Sequence, residues 1–273
     1  MQALTQWPLR ARRGITGVLT DIDDTLTTQG AITREALAAL YHLKAAGLPV
    51  IAVTGRPVGW SVLFAQAWPV DAIVAENGAV ALLSTKKVGL RIPGGHEPLS
   101  KIYQQDTTLR LANRARIEQV ARRVVREVPG AVLAQDSAGR ETDMAIDHSE
   151  FSNLSLDGIA QAVRIMRSEG MNATVSSIHI NGWFGSHNKL DGARWIVRER
   201  LGRNLDAEME NWVYVGDSTN DQLMFEAFGN SVGVANVRDF EAQLSHRPRY
   251  ITLGERGAGF AEMAAALLAA RAG

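Results

Sequence analysis

Apolar residues near the start of the chain alternate between two patterns: short unbroken runs, and stretches in which they recur every third or fourth position. Residues 15–20, "LPVIAVTGR" (48–56) and "DAIVAENGA" (71–79) are continuous and rich in β-branched side chains, as strands buried on both faces must be. Between them, "TREALAALYHLKAAG" (33–47) places Leu37, Leu40 and Leu43 on one helical face, with Thr33 as N-cap and Gly47 closing the helix. The stretch "GWSVLFAQAW" (59–68) predicts a second amphipathic helix. Strands alternating with helices in this way predict an α/β core, a doubly wound parallel sheet covered on both faces.

The pattern changes after about residue 84. A long Arg-rich helix over 108–127 precedes two short alternating segments, "AVLAQD" (131–136) and "ETDMAIDH" (141–148). The order then repeats with the helix "LDGIAQAVRIMRSEG" (156–170) and the strand-like segments "NATVSS" (172–177) and "SIHINGWF" (177–184). Two helix-strand-strand units predict an α+β module with an antiparallel sheet, inserted at residues 85–187 between core halves at 1–84 and 188–273. Short connections near 84–90 and 184–188 would act as its hinges. The α/β pattern resumes with a helix to Arg200, the strand "NWVYVG" (211–216), the helix "NDQLMFEAFG" (220–229), the strand "SVGVA" (231–235) and an Ala-rich terminal helix.

Composition removes several function classes. Of 273 residues, 46% are hydrophobic and 21% charged, with 29 Lys plus Arg against 29 Asp plus Glu. That balance gives no electrostatic footprint for nucleic acid or an anionic membrane, and neither is expected as a partner. The absence of cysteine excludes thiolate catalysis and zinc-thiolate sites. Arg12 and Arg13 precede an apolar run that is cut short at Asp21, so no export signal is read there. No apolar run approaches the roughly 20 residues that cross a bilayer, and a cytoplasmic location is expected. Oligomeric state is left open.

The remaining question is why "VLTDIDDTLTTQG" (18–30) ends a buried strand with three aspartates in four positions. Aspartates after a strand commonly cap a turn. Here, however, the carboxyl ends of other parallel strands, where such sheets bind ligands, add more polar groups. Thr54 and Arg56 follow the second strand; Asp217, Asn220 and Asp221 follow "WVYVG"; Lys189 starts the helix that re-enters the core. Grouped carboxylates are costly without a cation. A hard divalent ion such as Mg²⁺ suits two carboxylates and a backbone carbonyl, leaving positions open for a phosphate oxygen. Lys189, Thr54 and the amides after Asp21 are placed to hold the remaining phosphate oxygens.

Taken in order, "DIDDT", "TGR", a lysine at a helix start and "GDSTND" resemble the four motifs of the haloacid dehalogenase superfamily of phosphohydrolases. The inserted module resembles that superfamily's type C2B cap, and "ENGA" (76–79) is similar to the stretch before such caps. Sucrose-phosphate and mannosyl-phosphoglycerate phosphatases and phosphomannomutases share this cap class. The resemblance implies a Mg²⁺-dependent phosphatase acting on a small phosphate ester, a sugar phosphate or related metabolite. It implies Asp21 as nucleophile, forming an aspartyl-phosphate, and Asp23 as general acid and base. It further implies Thr54, Gly55, Lys189 and Asn220 as phosphate ligands, and a metal site of Asp21, the Asp23 carbonyl, Asp217 and Asp221. Asp24 departs from the pattern, which often has Gly there.

Specificity is expected from the inserted module. His179, Asn181 and Trp183 alternate along one strand and so share a face, and with Arg56 they are the candidates for substrate contact. A phosphomutase is the alternative enzyme, and a non-catalytic phosphate-binding module the alternative outside enzymes. A dehalogenase would not need Asp217 and Asp221.

Overall fold

The computed structural model describes residues 1–84 and 99–272. In chain order the first half holds β1 (Gln2–Ala3), α1 (Leu9–Arg13), β2 (Gly17–Thr20), β3 (Thr27–Thr28), β4 (Ala31–Ile32), α2 (Arg34–Ala45), β5 (Val50–Val53), α3 (Val58–Ala67), β6 (Ala72–Ala75), β7 (Val80–Ser84) and β8 (Leu99–Tyr103). The middle holds α4 (Thr107–Glu127), β9 (Val132–Leu133), β10 (Asp143–Asp147), α5 (Leu156–Ser168), β11 (Asn172–Val175) and β12 (His179–Trp183). The last part holds α6 (Lys189–Leu201), β13 (Trp212–Gly216), α7 (Gln222–Ala227), β14 (Ser231–Gly233), β15 (Tyr250–Ile251) and α8 (Arg256–Ala272).

Among the described residues the main sheet runs β1-β15-β14-β13-β2-β5-β6-β7-β8. It is parallel from β1 to β6, while β7 and β8 are antiparallel additions at one edge. Every residue of β2, β5, β6 and β13 is buried, which is why these strands read as unbroken apolar runs. One face packs Val18, Val50 and Ile73 against Leu40, Leu43 and Phe260. The other packs Leu19, Ile51 and Tyr214 against Ile196, Val197 and Phe225. The doubly wound core is therefore as the periodicity predicts.

The inserted module is a four-stranded antiparallel sheet, β11-β12-β10-β9, with α4 and α5 on one face. Its alternation is strict. Met144, Ile146 and Ile180 turn toward Ile117, Val124 and Met166. The opposite face carries Asp143, Asp147, His179 and Asn181, with Ala145 opposite Asn181. Gly182 belongs to the helix-facing set, where a Cβ would come within 2.8 Å of Met166. The module's polar face thus lies over the carboxyl ends of β2 and β5.

Two boundaries differ from the sequence reading. β8 pairs with β7 from Ser84↔Leu99 to Val80↔Tyr103, so Leu99–Tyr103, expected in the module, lie in the core sheet, and the module's first described element is α4. The reason is that "LSKIY" is a half-exposed edge strand, with none of the apolar continuity that marks the central ones. The segment "AVLAQD" forms only the short β9, followed by a 3₁₀ turn over Gln135–Gly139. The hinge expected near 84–90 lies, from residue 85 on, outside the described residues. No helix among the described residues is long and apolar enough to cross a membrane.

Candidate active site

Asp21 follows β2, and its amide is fixed by the Val215 carbonyl at 2.8 Å. Lys189 opens α6, whose N-cap Asn188 accepts the Asp191 amide. Its Nζ lies 2.6 Å from Asp21 Oδ1 and 2.7 Å from Asp221 Oδ1. Asp221 also receives the Tyr214 hydroxyl on Oδ1 and the amides of Asp217 and Ser218 on Oδ2. Both its oxygens are thereby engaged, which fits a residue that positions its neighbours. Asp217 accepts from Thr25 at 3.3 Å and from Asn236 at 3.2 Å.

Among the described residues Asp21, Asp217 and Asp221 form a cluster with carboxylate oxygens within 4.8 Å of one another, all buried. Burial pushes Asp21 and Asp217 above the usual carboxylate range, Lys189 opposes the shift at both, and the neighbouring aspartates add to it. Lys189 itself is raised: burial works against its charge, but Asp21 and Asp221 outweigh it. Three buried carboxylates against one ammonium leave negative charge without a counterion, and all-oxygen donors are those a hard divalent cation takes. The donor set therefore fits Mg²⁺.

Asp23 stands beside this cluster and is turned by a different partner. Arg56 donates through Nε to both Asp23 oxygens, at 3.0 and 3.1 Å. Burial still leaves the Asp23 carboxyl raised despite Arg56. The remaining guanidinium nitrogens reach the inserted module: Nη1 to Asp136 at 3.2 Å, and Nη1 and Nη2 to Glu150 at 3.2 and 2.7 Å. Asp24 has φ +53° and pairs with Arg256 at 2.9 Å, while its carbonyl accepts from Asn236. The left-handed conformation explains why Gly suits this position, and the ion pair explains how Asp is held there.

A narrow cleft joins these groups to the module. The core lines it with Asp21, Asp23, Thr54, Gly55, Arg56, Ser218 and Asn220. The module lines it with Ser176, Ser177, Ile178, His179 and Asn181. Asn181 donates to the Gly55 carbonyl at 3.2 Å. Trp183 stands apart. It is buried, donates from Nε1 to the His187 carbonyl at 2.8 Å and stacks on that ring. It lines a separate hollow with Thr174 and Leu223, because the twisted strand carries its far end beyond the cavity.

Several residues escaped the sequence reading. Glu76, fully buried with φ +50°, accepts the amides of Val58, Glu141 and Thr142 and the Thr142 hydroxyl. One side chain thus ties the core to the module. Arg140 adds a second tie, donating to the Gly55 carbonyl and to Asp143, each at 2.9 Å. Asn236 follows β14 at the same rim, and the rule that ligands gather at strand carboxyl ends would have found it. Glu150 and Asp136 carried no such signal.

Residues 18–104 match the family of haloacid dehalogenase-like hydrolases. The chain is 27% identical over 263 residues to a phosphoglycolate phosphatase of Methanothermobacter thermautotrophicus, covering 90% of this chain and 95% of the relative. Among solved structures it resembles a Thermoplasma acidophilum protein (TM-score 0.67, 14% identity, 93% and 98% of the two chains). It also resembles the sucrose-phosphatase of Synechocystis, solved with sucrose and phosphate (TM-score 0.63, 14% identity, 93% and 98%). These two likenesses are likenesses of fold.

Proposed function

We propose that the chain, whose residues 18–104 match the haloacid dehalogenase-like hydrolases, is a Mg²⁺-dependent phosphatase acting on a small phosphomonoester through an aspartyl-phosphate. The observation that carries this reading is the Asp21–Lys189–Asp221 cluster with Asp217 beside it, opening on the same cavity as Asp23, Thr54 and Asn220. Asp21, Asp217 and the Asp23 carbonyl would hold Mg²⁺, which when bound supplies positive charge to the phosphoryl oxygens.

Thr54, the Gly55 amide, Lys189 and Asn220 bind and orient the phosphoryl group. An Asp21 oxygen forms a bond to phosphorus as the bond from phosphorus to the ester oxygen breaks, and Asp23 gives its proton to that leaving oxygen. Water then attacks the same phosphorus, Asp23 takes the water's proton, and the bond to Asp21 breaks. Inorganic phosphate leaves with both aspartates restored. Burial raises the Asp23 carboxyl and so favours its proton-donor form, and Arg56 sets its orientation.

The curated relative's name offers phosphoglycolate as a substrate, and a structural neighbour's title offers a sugar phosphate. Both are small phosphomonoesters, the class proposed here. The test is a panel of phosphate esters with Mg²⁺, reading released phosphate, together with acid quench of enzyme turning over ³²P-labelled substrate. Label retained on protein, at Asp21, is the expected result. A well-folded protein that releases phosphate from no ester, p-nitrophenyl phosphate included, would end the proposal.

A further inference from the structure

We propose that Glu150 occupies the place of a substrate carboxylate, so that the preferred phosphate ester is one whose alcohol carries its own carboxylate a short chain from the phosphoryl group. The inference rests on the phosphatase reading above and adds the chemistry of the leaving group.

The Glu150 carboxylate is held as a bound anion would be. Arg56 reaches its two oxygens through Nη1 and Nη2, at 3.2 and 2.7 Å. His179 Nε2 lies 2.9 Å from Oε2. That contact is poorly directed, so this buried ring nitrogen has no well-aligned hydrogen-bond partner among the described residues. Both Arg56 and His179 line the cavity that contains Asp21. Glu150 itself lines the neighbouring, more open hollow, which shares Asp23, Arg56 and Ile178 as walls. The acid thus stands where the reaction cavity meets the outside.

Glu150 is delivered there by a local device. Asp147 at the end of β10 accepts the amides of Ser149 and Glu150 on Oδ1, at 3.1 and 2.9 Å, and of Phe151 on Oδ2 at 2.9 Å. The loop is fixed, while the Glu150 side chain remains one-fifth exposed and has rotamer freedom to swing outward. Arg56 is 6% exposed at its side chain and keeps Asp23 on a different nitrogen. An incoming carboxylate can therefore replace Glu150 on the fork without disturbing the general acid. A neutral polyol offers nothing that repays breaking this charge-assisted pair, whereas a carboxylate replaces it like for like.

The experiment compares 2-phosphoglycolate and 3-phosphoglycerate with their uncharged counterparts, 2-hydroxyethyl phosphate and glycerol 1-phosphate, in the full chain with Mg²⁺. The readout is the ratio of kcat/KM for charged over neutral esters. The wild type is expected to favour the charged esters by about tenfold or more. Glu150→Gln and Glu150→Ala, which remove the resident competitor, are expected to raise that ratio about tenfold further, and His179→Leu to lower it. Acetate should inhibit Glu150→Ala competitively against the charged esters at concentrations that leave the wild type unaffected. A ratio near one in the wild type, or a ratio unmoved in the folded Glu150 variants, overturns the proposal while leaving the phosphatase reading standing. Absence of turnover on every ester would instead remove that reading itself.

Discussion

The carboxylates on the core rim and those on the seam between core and module are balanced in opposite ways. On the rim, Asp21, Asp217 and Asp221 have Lys189 as the cation in their midst, and burial drives Asp21 and Asp217 toward protonation. On the seam, Arg56 faces Asp23, Asp136 and Glu150, and Arg140 faces Asp136 and Asp143. Backbone amides complete the seam by satisfying Glu76 and Asp147. Burial pushes Glu150 up, yet His179 and Arg56 hold it down to about 2. A cluster left short of positive charge is poised to take a cation and a reacting anion, whereas Glu76 and Arg140, whose partners satisfy them, hold two units in one arrangement.

The sharpest way to break this contrast is to change the rim alone. Asp21→Asn removes the attacking charge, and kcat should fall by roughly 10⁴ or more, with no label retained after acid quench. Asp23→Asn keeps the nucleophile and loses proton transfer, a factor of about 10² to 10⁴ that shrinks for esters with good leaving groups. Equal losses in Asp23→Asn on p-nitrophenyl phosphate and on an alkyl phosphate would deny Asp23 the proton-transfer role. Chelation tests the missing charge directly. Turnover should vanish in EDTA and return with Mg²⁺, and Ca²⁺ should inhibit, since its larger and looser shell misplaces the phosphoryl group. Full turnover after metal-free preparation would contradict the charge count on the rim.

The same contrast decides what was legible in the sequence. The rim residues stand at the ends of buried strands or at a helix start, so periodicity located the strands and the residues after them pointed to the candidate site. Asp21, Thr54, Lys189 and Asp217 needed no knowledge of the module. The seam pairs residues that local pattern cannot relate, since Arg56 meets Glu150 across a sequence separation of 94. Glu76 lay inside the quoted "ENGA", but its role depends on Thr142 arriving from β10's approach. On β12 the alternation put His179, Asn181 and Trp183 on one face, but only the first two line the cleft, because a period of two gives the face and not the point at which that face leaves the site. β8 was missed for the converse reason, being an edge strand whose polar positions face solvent.

Seam residues should register first in stability. Glu76→Ala deletes an acceptor of three amides and one hydroxyl in a fully buried place. The expected loss is roughly 3 to 5 kcal/mol, read as a lowered denaturant midpoint. Turnover per folded molecule should fall far less than in Asp21→Asn. A variant as stable as the wild type would show that the tie between core and module lies elsewhere. In the cavity wall, Asn181→Ala should lower kcat/KM for the natural ester several-fold and spare p-nitrophenyl phosphate, which does not require the module's contacts. Parallel losses on both would return Asn181 to a packing role.

The smallest effect concerns His187, on the connection between β12 and α6. Its ring is buried against Trp183, and its Nε2 has no hydrogen-bond partner among the described residues. Burial lowers its pKa from 6.5 to about 4, with Asp191 opposing the shift. The folded-state value is depressed and the group is a base, so the unfolded chain binds the extra proton first. Above pH 6.5 both states are neutral and His187 has no pH-linked effect. As pH falls from 6.5 toward 4, only the unfolded state gains the proton, and the fold loses stability, by at most about 3 kcal/mol. Glu150 acts lower on the scale, because its depressed carboxyl contributes stability above 4.5 that is lost as pH falls toward about 2. His187→Phe keeps the stacked ring without the proton site. Chemical unfolding of both proteins at pH 7.5 and pH 5 should show the variant losing less stability than the wild type over that interval. Identical losses would mean that the hinge opens enough in the folded protein for His187 to titrate as it does in water.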